Sequence, residues 1–292
     1  AAVRQGLARA PQIEARASDT AAAHEEAVRA GRLPDPTLKF GLSNFPVTEP
    51  GAFSLRSDGM TMRTIGVTQA IPSRAARTAE RSLATAQVDA AEAERVAVEQ
   101  NVRERIADTW IDVWAIEQRR GLLLDLHDEA TLAVRITQAR LRGGEGSAVD
   151  ALAAQAELAA LDNRLEATDA DLAAAQAGLQ RWLGVPPGVL AATQDFSRLP
   201  VTADRLVSSV DQQAPLQAWA AREQLAQAAL DQARAAKHPD WSVSASYGKR
   251  APGMSDMVML EVGVSLPLFT HDRQDRGISA RLAQRDAVQA DH

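Results

Sequence analysis

The sequence predicts an α+β protein built from a duplicated helix–strand–strand–helix unit that carries one long coiled-coil hairpin. Three observations predict this fold. The stretch from 73 to 141 contains no proline and is far longer than a globular helix. Two pairs of segments alternate apolar and polar residues with a period of two. Landmarks of the first strand pair recur about 200 residues later, which indicates an internal repeat.

The composition favours long helices and excludes several classes of partner and site. Only 4% of the 292 residues are aromatic and 24% are charged, which suits helices that pack through small side chains. The net charge of −6 argues against a nucleic-acid partner, because phosphate binding requires a concentrated basic surface. The absence of cysteine excludes disulfides and thiolate metal sites. No apolar run is long enough for a transmembrane helix, but strands that insert into a membrane need only about ten alternating residues.

The landmarks of the internal repeat place its two copies. Pro11 corresponds to Pro215, Leu33-Pro34-Asp35 to His238-Pro239-Asp240, and Ile65-Gly66-Val67-Thr68 to Val262-Gly263-Val264-Ser265, with offsets of 204, 205 and 197 residues. The smaller last offset predicts a shorter, hairpin-like connection in the second strand pair. The first repeat is predicted to span 1–202, with a helix from about Val3 to Arg32, a strand pair at 37–71 and a helical hairpin at 73–183. The second is predicted to span 203–292, with a helix at 203–237, a strand pair at 241–269 and the start of another long helix.

Each strand pair has one apolar and one polar face. The apolar positions are Leu38, Phe40, Leu42, Ile65, Val67, Ile71, Trp241, Val243, Ala245, Tyr247, Val258, Leu260, Val262, Val264 and Leu266. Alternation alone also fits a half-buried sheet in a soluble protein. Four strands cannot cover so long a helical surface, and no other strand-rich region could complete a sandwich. We therefore expect other subunits to close the edges of the sheet.

The long helical region is predicted to be a coiled-coil hairpin with a tip near Glu145. The outgoing helix, about 100 Å long, has a seam of Val102, Ile106, Val113, Ile116, Leu123, Ala130, Val134 and Leu141. The returning helix has a stricter three-four seam of Ala151, Ala154, Leu158, Leu161, Leu165, Thr168, Leu172, Ala175, Leu179 and Trp182, and Gly184 ends it. Gly143, Gly144 and Gly146 permit the reversal, Ser147 can cap the new helix, and Asp150 suits its first turn.

This arrangement resembles the TolC family of outer-membrane efflux channels, and the segments "PDPTLKFGLSNFPV" (34–47) and "GMTMRTIGVTQAIPSRAARTAER" (59–81) are similar to its heavy-metal, CzcC-like branch. The resemblance implies a homotrimer in which four strands per protomer form a twelve-stranded β-barrel in outer-membrane lipid. It implies that the helices continue the barrel as a tunnel across the periplasm. It also implies a periplasmic adaptor protein and an inner-membrane RND-type pump as partners, with no cofactor and no catalysis. The second helical hairpin expected of the family is absent, so we expect sequence to be missing.

The resemblance also implies two sets of site residues. Gly144, Ser147 and Asp150 match the family's pattern at the hairpin tip, so the tip, with Glu145 and Gly146, is the expected adaptor contact. Turn and capping chemistry alone would select the same residues, and this alternative stays open. Three charged residues on the strands are candidates to line a lumen: Lys39, Arg63 and Glu261.

The sequence favours a passive export duct over its alternatives. The five histidines are scattered and predict no metal site. The five methionines lie near the strand pairs and could suit Cu(I), but methionine is also an adaptable packing residue. The leading hypothesis is an outer-membrane channel for heavy-metal cations, with helices in the periplasm. The alternatives are a multidrug channel, a periplasmic adaptor and a soluble coiled-coil scaffold.

Overall fold

The structure is a computed structural model that describes residues 2–48, 52–186 and 202–291. Its elements are α1 (Ala2–Leu7), α2 (Pro11–Arg29), β1 (Thr37–Ser43), β2 (Met62–Ile71), α3 (Arg74–Arg142), α4 (Ala148–Leu183), α5 (Ala203–Ser208), a 3-10 turn (Val210–Gln212), α6 (Ala214–Ala235), β3 (Trp241–Lys249), β4 (Met257–Val264) and α7 (Gln274–Asp291). Contacts group the chain into two compact units, residues 1–17 with 95–212 and residues 18–94 with 213–292. None of the helices in the described part of the chain combines the length and hydropathy that a bilayer crossing requires.

The first unit is built around the helical hairpin of α3 and α4, as the sequence predicts. Ile106 and Val113 of α3 and Leu179 of α4 are fully buried. One cluster packs Val102 and Ile106 against apolar residues of α1 and the start of α2, and a second packs Val113 against Leu179 and Leu183. The seam residues of α4 are buried or half-buried along its whole length. The three-four spacing therefore identified the contact face of α4 correctly, whereas Leu141, the last residue of the predicted seam on α3, is exposed.

Polar side chains connect the two helices of the hairpin. Arg119 lies 2.9 Å from Asp171. His127 lies 3.1 Å from Asp162, with its side chain 30% exposed. Exposed pairs contribute little free energy individually, so these contacts specify alignment more than stability.

Two long helices predicted from the sequence are interrupted in the structure. The predicted helix from Val3 to Arg32 is wrong at 8–10, where α1 ends and α2 begins at Pro11. The predicted helix at 203–237 is likewise divided, and α6 begins at Ala214 with Pro215 in its first turn. Proline has no N–H to continue a helix, and its ring clashes with the carbonyl four residues earlier, so it begins a new helix instead. The division into two repeats stays a prediction, and residues 187–201, beside its boundary, lie outside the described residues.

The second unit packs the start of α3 against α2 and α6, beside the sheet. Leu230 of α6 is fully buried, and alanines fill most of the remaining contact face. Gly31, two residues after the end of α2, has a φ of +65°, and its carbonyl accepts hydrogen bonds from Arg77 Nε and Arg81 Nη2, both at 3.0 Å. A Cβ at Gly31 would lie 2.5 Å from the Arg77 carbonyl oxygen. Glycine is therefore required where α2 passes over α3.

The contact between α6 and α7 includes an ion pair that predicts acid sensitivity. A hydrogen bond from Lys237, which follows α6, holds the pKa of Asp275 below its ordinary value of 3.8. A lowered folded-state pKa stabilises the protein above the unfolded-state pKa, and this stability is lost as the pH falls through the folded-state value. We expect Asp275→Asn to lower the thermal unfolding midpoint at neutral pH, with the difference from wild type shrinking as the pH falls below the unfolded-state pKa of the carboxyl group. Asp291→Asn, at the exposed end of α7, is the control, and an equal pH-dependent shift in that variant would contradict the prediction.

The four strands form one antiparallel sheet in the order β1-β2-β3-β4. Residues 44–61 connect β1 to β2, whereas only 250–256 connect β3 to β4, which confirms the shorter second connection. The predicted extension of the last strand to 269 is wrong, since β4 ends at Val264. Pro267 cannot donate a hydrogen bond to a neighbouring strand, and the Leu268 N–H bonds to the nearby Leu266 carbonyl instead.

Candidate functional site: the strand sheet and the hairpin tip

The sheet has one continuous apolar face that the described chain leaves exposed. The pairing places Leu38 beside Val67, Val67 beside Ala245, and Ala245 beside Leu260, so the apolar positions of all four strands lie on one face. Phe40 is 73% exposed and Leu260 is 79% exposed. An apolar face that crosses a whole sheet is typical of a surface that another apolar phase covers.

The opposite face is polar and carries two of the three predicted lumen residues. Thr, Ser and Gly predominate there, with Lys39 on β1 and Glu261 on β4, both exposed. The pairing contradicts a common face for all three candidates. Arg63 is opposite Leu42 and Lys249, so it lies on the same face as Ile65. Two-residue alternation counted from Ile65 could have shown this in the sequence.

The two outer strands leave the edges of the sheet open. β1 pairs only with β2, and β4 pairs only with β3, among the strands that the structure describes. The unpaired N–H and C=O groups of such edges form a template for another strand. Four strands are too few to curl into a closed cylinder on their own. The edges therefore require strands from elsewhere if the sheet is to lie in lipid.

Over residues 2–48, 52–186 and 202–291, no group of three or more His, Cys, Asp or Glu side chains is arranged to hold a metal ion. Of the five methionines, Met62 is buried and its sulfur lies close to Gly248, while Met60, Met254, Met257 and Met259 are exposed. The buried position of Met62 fits a packing role.

The tip of the hairpin is a short, hydrogen-bonded turn between α3 and α4. The Glu145 N–H donates to the Arg140 carbonyl at 3.0 Å, and Gly144 has a φ of +75°. A Cβ at Gly146 would lie 2.9 Å from the Leu141 nitrogen, so the turn needs glycine at both positions. Ser147 is the N-cap of α4, and its Oγ accepts a hydrogen bond from the Val149 N–H at 3.1 Å. Asp150 lies in the first turn of α4, where a negative charge is favourable.

The tip also exposes two large apolar side chains that are not among the predicted site residues. Val149 is 72% exposed and Leu152 is 64% exposed, beside the predicted residues Ser147 and Asp150. They lie three residues apart on α4, outside the seam that begins at Ala151. This spacing was visible in the sequence as a second, short apolar stripe. An apolar pair rimmed by charges is suited to binding another protein.

The structure predicts that Ser147 stabilises the tip independently of any partner. We expect Ser147→Ala to destabilise the hairpin by about 0.5–2 kcal/mol, because the N-cap hydrogen bond is lost. Ser147→Asp, which can still cap, should retain most of the stability. Hydrogen exchange of the first turn of α4 measures the effect. Equal protection in wild type and Ser147→Ala would show that the cap is unimportant.

Comparisons with known proteins place the chain beside a family model, a curated relative and several solved structures. Residues 2–185 match the family described as outer membrane efflux protein. Over 206 residues the chain is 26% identical to the cobalt-zinc-cadmium resistance protein CzcC of Cupriavidus metallidurans, which covers 69% of this chain and 49% of the relative. The chain thus spans about half the length of this curated relative.

Solved structures share the fold. The outer membrane protein VceC of Vibrio cholerae matches 99% of this chain and 73% of its own length, with a TM-score of 0.77 and 18% identity. The CmeC outer membrane channel of Campylobacter jejuni matches 99% and 66%, with a TM-score of 0.74 and 11% identity. At these identities the likeness concerns the fold alone. The family consists of outer-membrane channels with periplasmic helical extensions and not of enzymes. The family match over most of the chain, together with the exposed sheet and the hairpin, shows that this chain belongs to the outer membrane efflux protein family.

Proposed function

We propose that the chain forms one protomer of a trimeric outer-membrane channel that passively conducts substrate from the periplasm to the exterior. The observation that carries this proposal is the four-stranded sheet with two open edges and one exposed apolar face. Lipid cannot hydrogen-bond strand edges, so such a sheet is stable in a membrane only when other copies close it. Three copies supply twelve strands, a number within the range of closed membrane barrels. The polar face then lines a water-filled interior.

We propose heavy-metal cations as the substrate, in a tripartite system with a periplasmic adaptor and an inner-membrane RND-type pump. The relative CzcC, named for cobalt, zinc and cadmium resistance, supports this substrate class. The chain's net charge of −6 also favours cations over anions near its surface. A duct needs no tight metal site, because selection can be made by the pump.

Conductance and metal tolerance test the two parts of this function. Full-length protein reconstituted in a planar bilayer should give discrete conductance steps without any energy source. Trimers that remain intact but never conduct, alone or with their adaptor, would refute the channel.

Cells that lack the protein should become sensitive to cobalt, zinc and cadmium and keep their tolerance of organic drugs. Loss of drug tolerance alone would overturn the metal assignment and favour a multidrug channel.

We further propose that the hairpin tip binds the adaptor through the apolar pair Val149 and Leu152, with Glu145 and Asp150 at its rim. Both apolar side chains are exposed in the chain, so replacing them should leave the fold intact. Leu152→Glu is expected to weaken adaptor binding at least tenfold, which corresponds to about 1.4 kcal/mol. Ala173→Glu, an exposed position on α4 remote from the tip, is the matched control. Unchanged adaptor affinity of Leu152→Glu in a pull-down titration would remove the tip from the interface.

A further inference from the structure

The sheet consists of two copies of one hairpin. Leu38 pairs with Val67, and Val243 pairs with Val262, which lie 205 and 195 residues later. The same two offsets relate the pair of Phe40 and Ile65 to the pair of Ala245 and Leu260. They also relate Pro34 to Pro239 and Pro72 to Pro267. The paired strand residues of the first hairpin therefore correspond one to one with those of the second.

The β2–β3 pairing joins the two hairpins and is a template for joining two protomers. In it, Val67 is opposite Ala245 and Gln69 is opposite Val243. The offset of 195 residues makes β4 the repeat equivalent of β2, and the offset of 205 residues makes β3 the repeat equivalent of β1. Repeating the template between chains places Val264 opposite Leu38, Val262 opposite Phe40 and Leu260 opposite Leu42. In this register each residue stays on the face of the sheet that it occupies in the single chain.

We propose that β4 of each protomer pairs with β1 of the next in this register, and that Lys39 and Glu261 form an ion pair across each of the three junctions. The proposal rests on the trimeric channel proposed above and adds the register and the inter-protomer contact. A second copy of this chain is thus the occupant of each open edge.

The faces of the two edge strands support this register. Phe40 and Val262 both lie on the apolar face, and both are exposed in the single chain. In the proposed register they become neighbours, so the apolar face continues from one protomer to the next. A shift by one residue would place Phe40 opposite Glu261 or Gly263 and would reverse the faces at the junction.

The charges of the two edge strands support the register independently. On the polar face of the described strands, Lys39 is the only basic residue and Glu261 the only acidic one. The register places Lys39 opposite Gly263 and Glu261 opposite Gly41. Each long charged side chain therefore faces a glycine, which leaves room for it to reach its diagonal neighbour. Diagonal neighbours across antiparallel strands are about 7–8 Å apart at Cα, within reach of lysine and glutamate.

This contact changes the predicted role of Glu261. A lumen-facing carboxylate with no partner would form a ring of three negative charges that concentrates cations. Paired with Lys39, it leaves the wall at this level nearly neutral. The polar face of the barrel would then be an unselective passage, and Lys39 would be the residue that prevents an anionic ring.

Engineered cysteines test the register, because the chain has no cysteine of its own. In the full-length protein, Phe40→Cys combined with Val262→Cys should form disulfides between protomers, so that most of the protein migrates as a covalent trimer without reductant. Phe40→Cys with Gly263→Cys is the control for the opposite face. Phe40→Cys with Val264→Cys is the control for a two-residue shift. Strong cross-linking of either control pair, or none of the first pair in intact trimers, would overturn the register. If such trimers still conduct ions, the register is wrong but the proposed channel is not contradicted.

Charge reversal tests the ion pair. Lys39→Glu and Glu261→Lys alone should each lower the temperature at which trimers dissociate in detergent, because like charges then meet at every junction. The double variant should recover the wild-type temperature. Lys39→Gln should raise the ratio of cation to anion permeability, since it leaves three carboxylates unpaired. If the decreases in dissociation temperature add up in the double variant, or if Lys39→Gln leaves the permeability ratio unchanged, the ion pair is refuted. Neither result would contradict the proposed channel itself.

Discussion

Replacing Ile106 with aspartate is expected to unfold the helical unit that contains the hairpin. Ile106 is fully buried, and its cluster includes Val102 and Ala10. Gly6 of α1 packs directly against it, since a Cβ there would lie 2.5 Å from Ile106 Cδ1. Truncating such a residue to alanine costs about 2–5 kcal/mol. A carboxylate adds the penalty of an unpaired buried charge and should exceed this range.

Urea unfolding followed by the helical circular dichroism signal measures the effect of Ile106→Asp. We expect the midpoint to fall so far that little helix in the hairpin region survives without urea. Ile111→Asp is the matched control, because Ile111 lies on the same helix and is 42% exposed. An equal decrease of the urea midpoint in the two variants would show that the cluster around Ile106 does not stabilise the unit.

Arginine at Leu260 is expected to prevent assembly in the outer membrane, whereas arginine at the adjacent Met259 is not. The two residues are neighbours on β4 but lie on opposite faces of the sheet, Leu260 on the apolar face and Met259 on the polar face. Arginine on the lipid face of a membrane barrel costs about 2–4 kcal/mol near the bilayer centre. The proposed trimer would carry the substitution three times, so the cost would be repeated in each protomer.

The amount of heat-resistant trimer in outer-membrane fractions measures this difference. Leu260→Arg should give little or none, and Met259→Arg should approach the wild-type amount, because its side chain would enter water. Similar yields from both variants would contradict the assignment of the apolar face to lipid. Loss of trimer in Met259→Arg alone would indicate that the faces are reversed.

The sequence was sufficient to identify the strands and the hairpin because both depend on simple periods. The three-four spacing around Val113 and Leu179 located the buried seam, and alternation around Phe40 and Val262 located the apolar face. A period determines which residues share a face without reference to any distant part of the chain. The family resemblance then related these elements to a known architecture.

Features that depend on a single backbone group or on distant pairing were harder to predict. The break at Pro11 follows from one missing N–H, which a helical pattern on both sides concealed. The similarity of Ile65-Gly66-Val67-Thr68 to Val262-Gly263-Val264-Ser265 suggested an offset of 197 residues. Strand pairing gives 195, which agrees with the prolines Pro72 and Pro267. Because alternating sequences repeat every two residues, a four-residue match can be shifted by two residues and still align apolar with apolar positions. Hydrogen-bonded pairing fixes the register and so gives the correct offset.

At the tip, the sequence identified the residues that form the turn but not those that are available to a partner. Ser147 and Gly144 were predictable because caps and positive φ angles require particular residue types. The exposure of Val149 and Leu152 depends on where α3 ends, which only the folded hairpin determines. The turn geometry and the exposed apolar surface are thus carried by different side chains of one short segment.

The unequal lengths of the two strand connections have a consequence for the cell surface. Residues 44–61 and 250–256 leave the same end of the sheet, and Arg250 Nε donates to the Gly59 carbonyl at 2.7 Å. In a threefold assembly this end would show three long and three short loops in alternation. Because longer connections tolerate added residues better than short ones, epitope tags should be accommodated more readily within 44–61 than within 250–256.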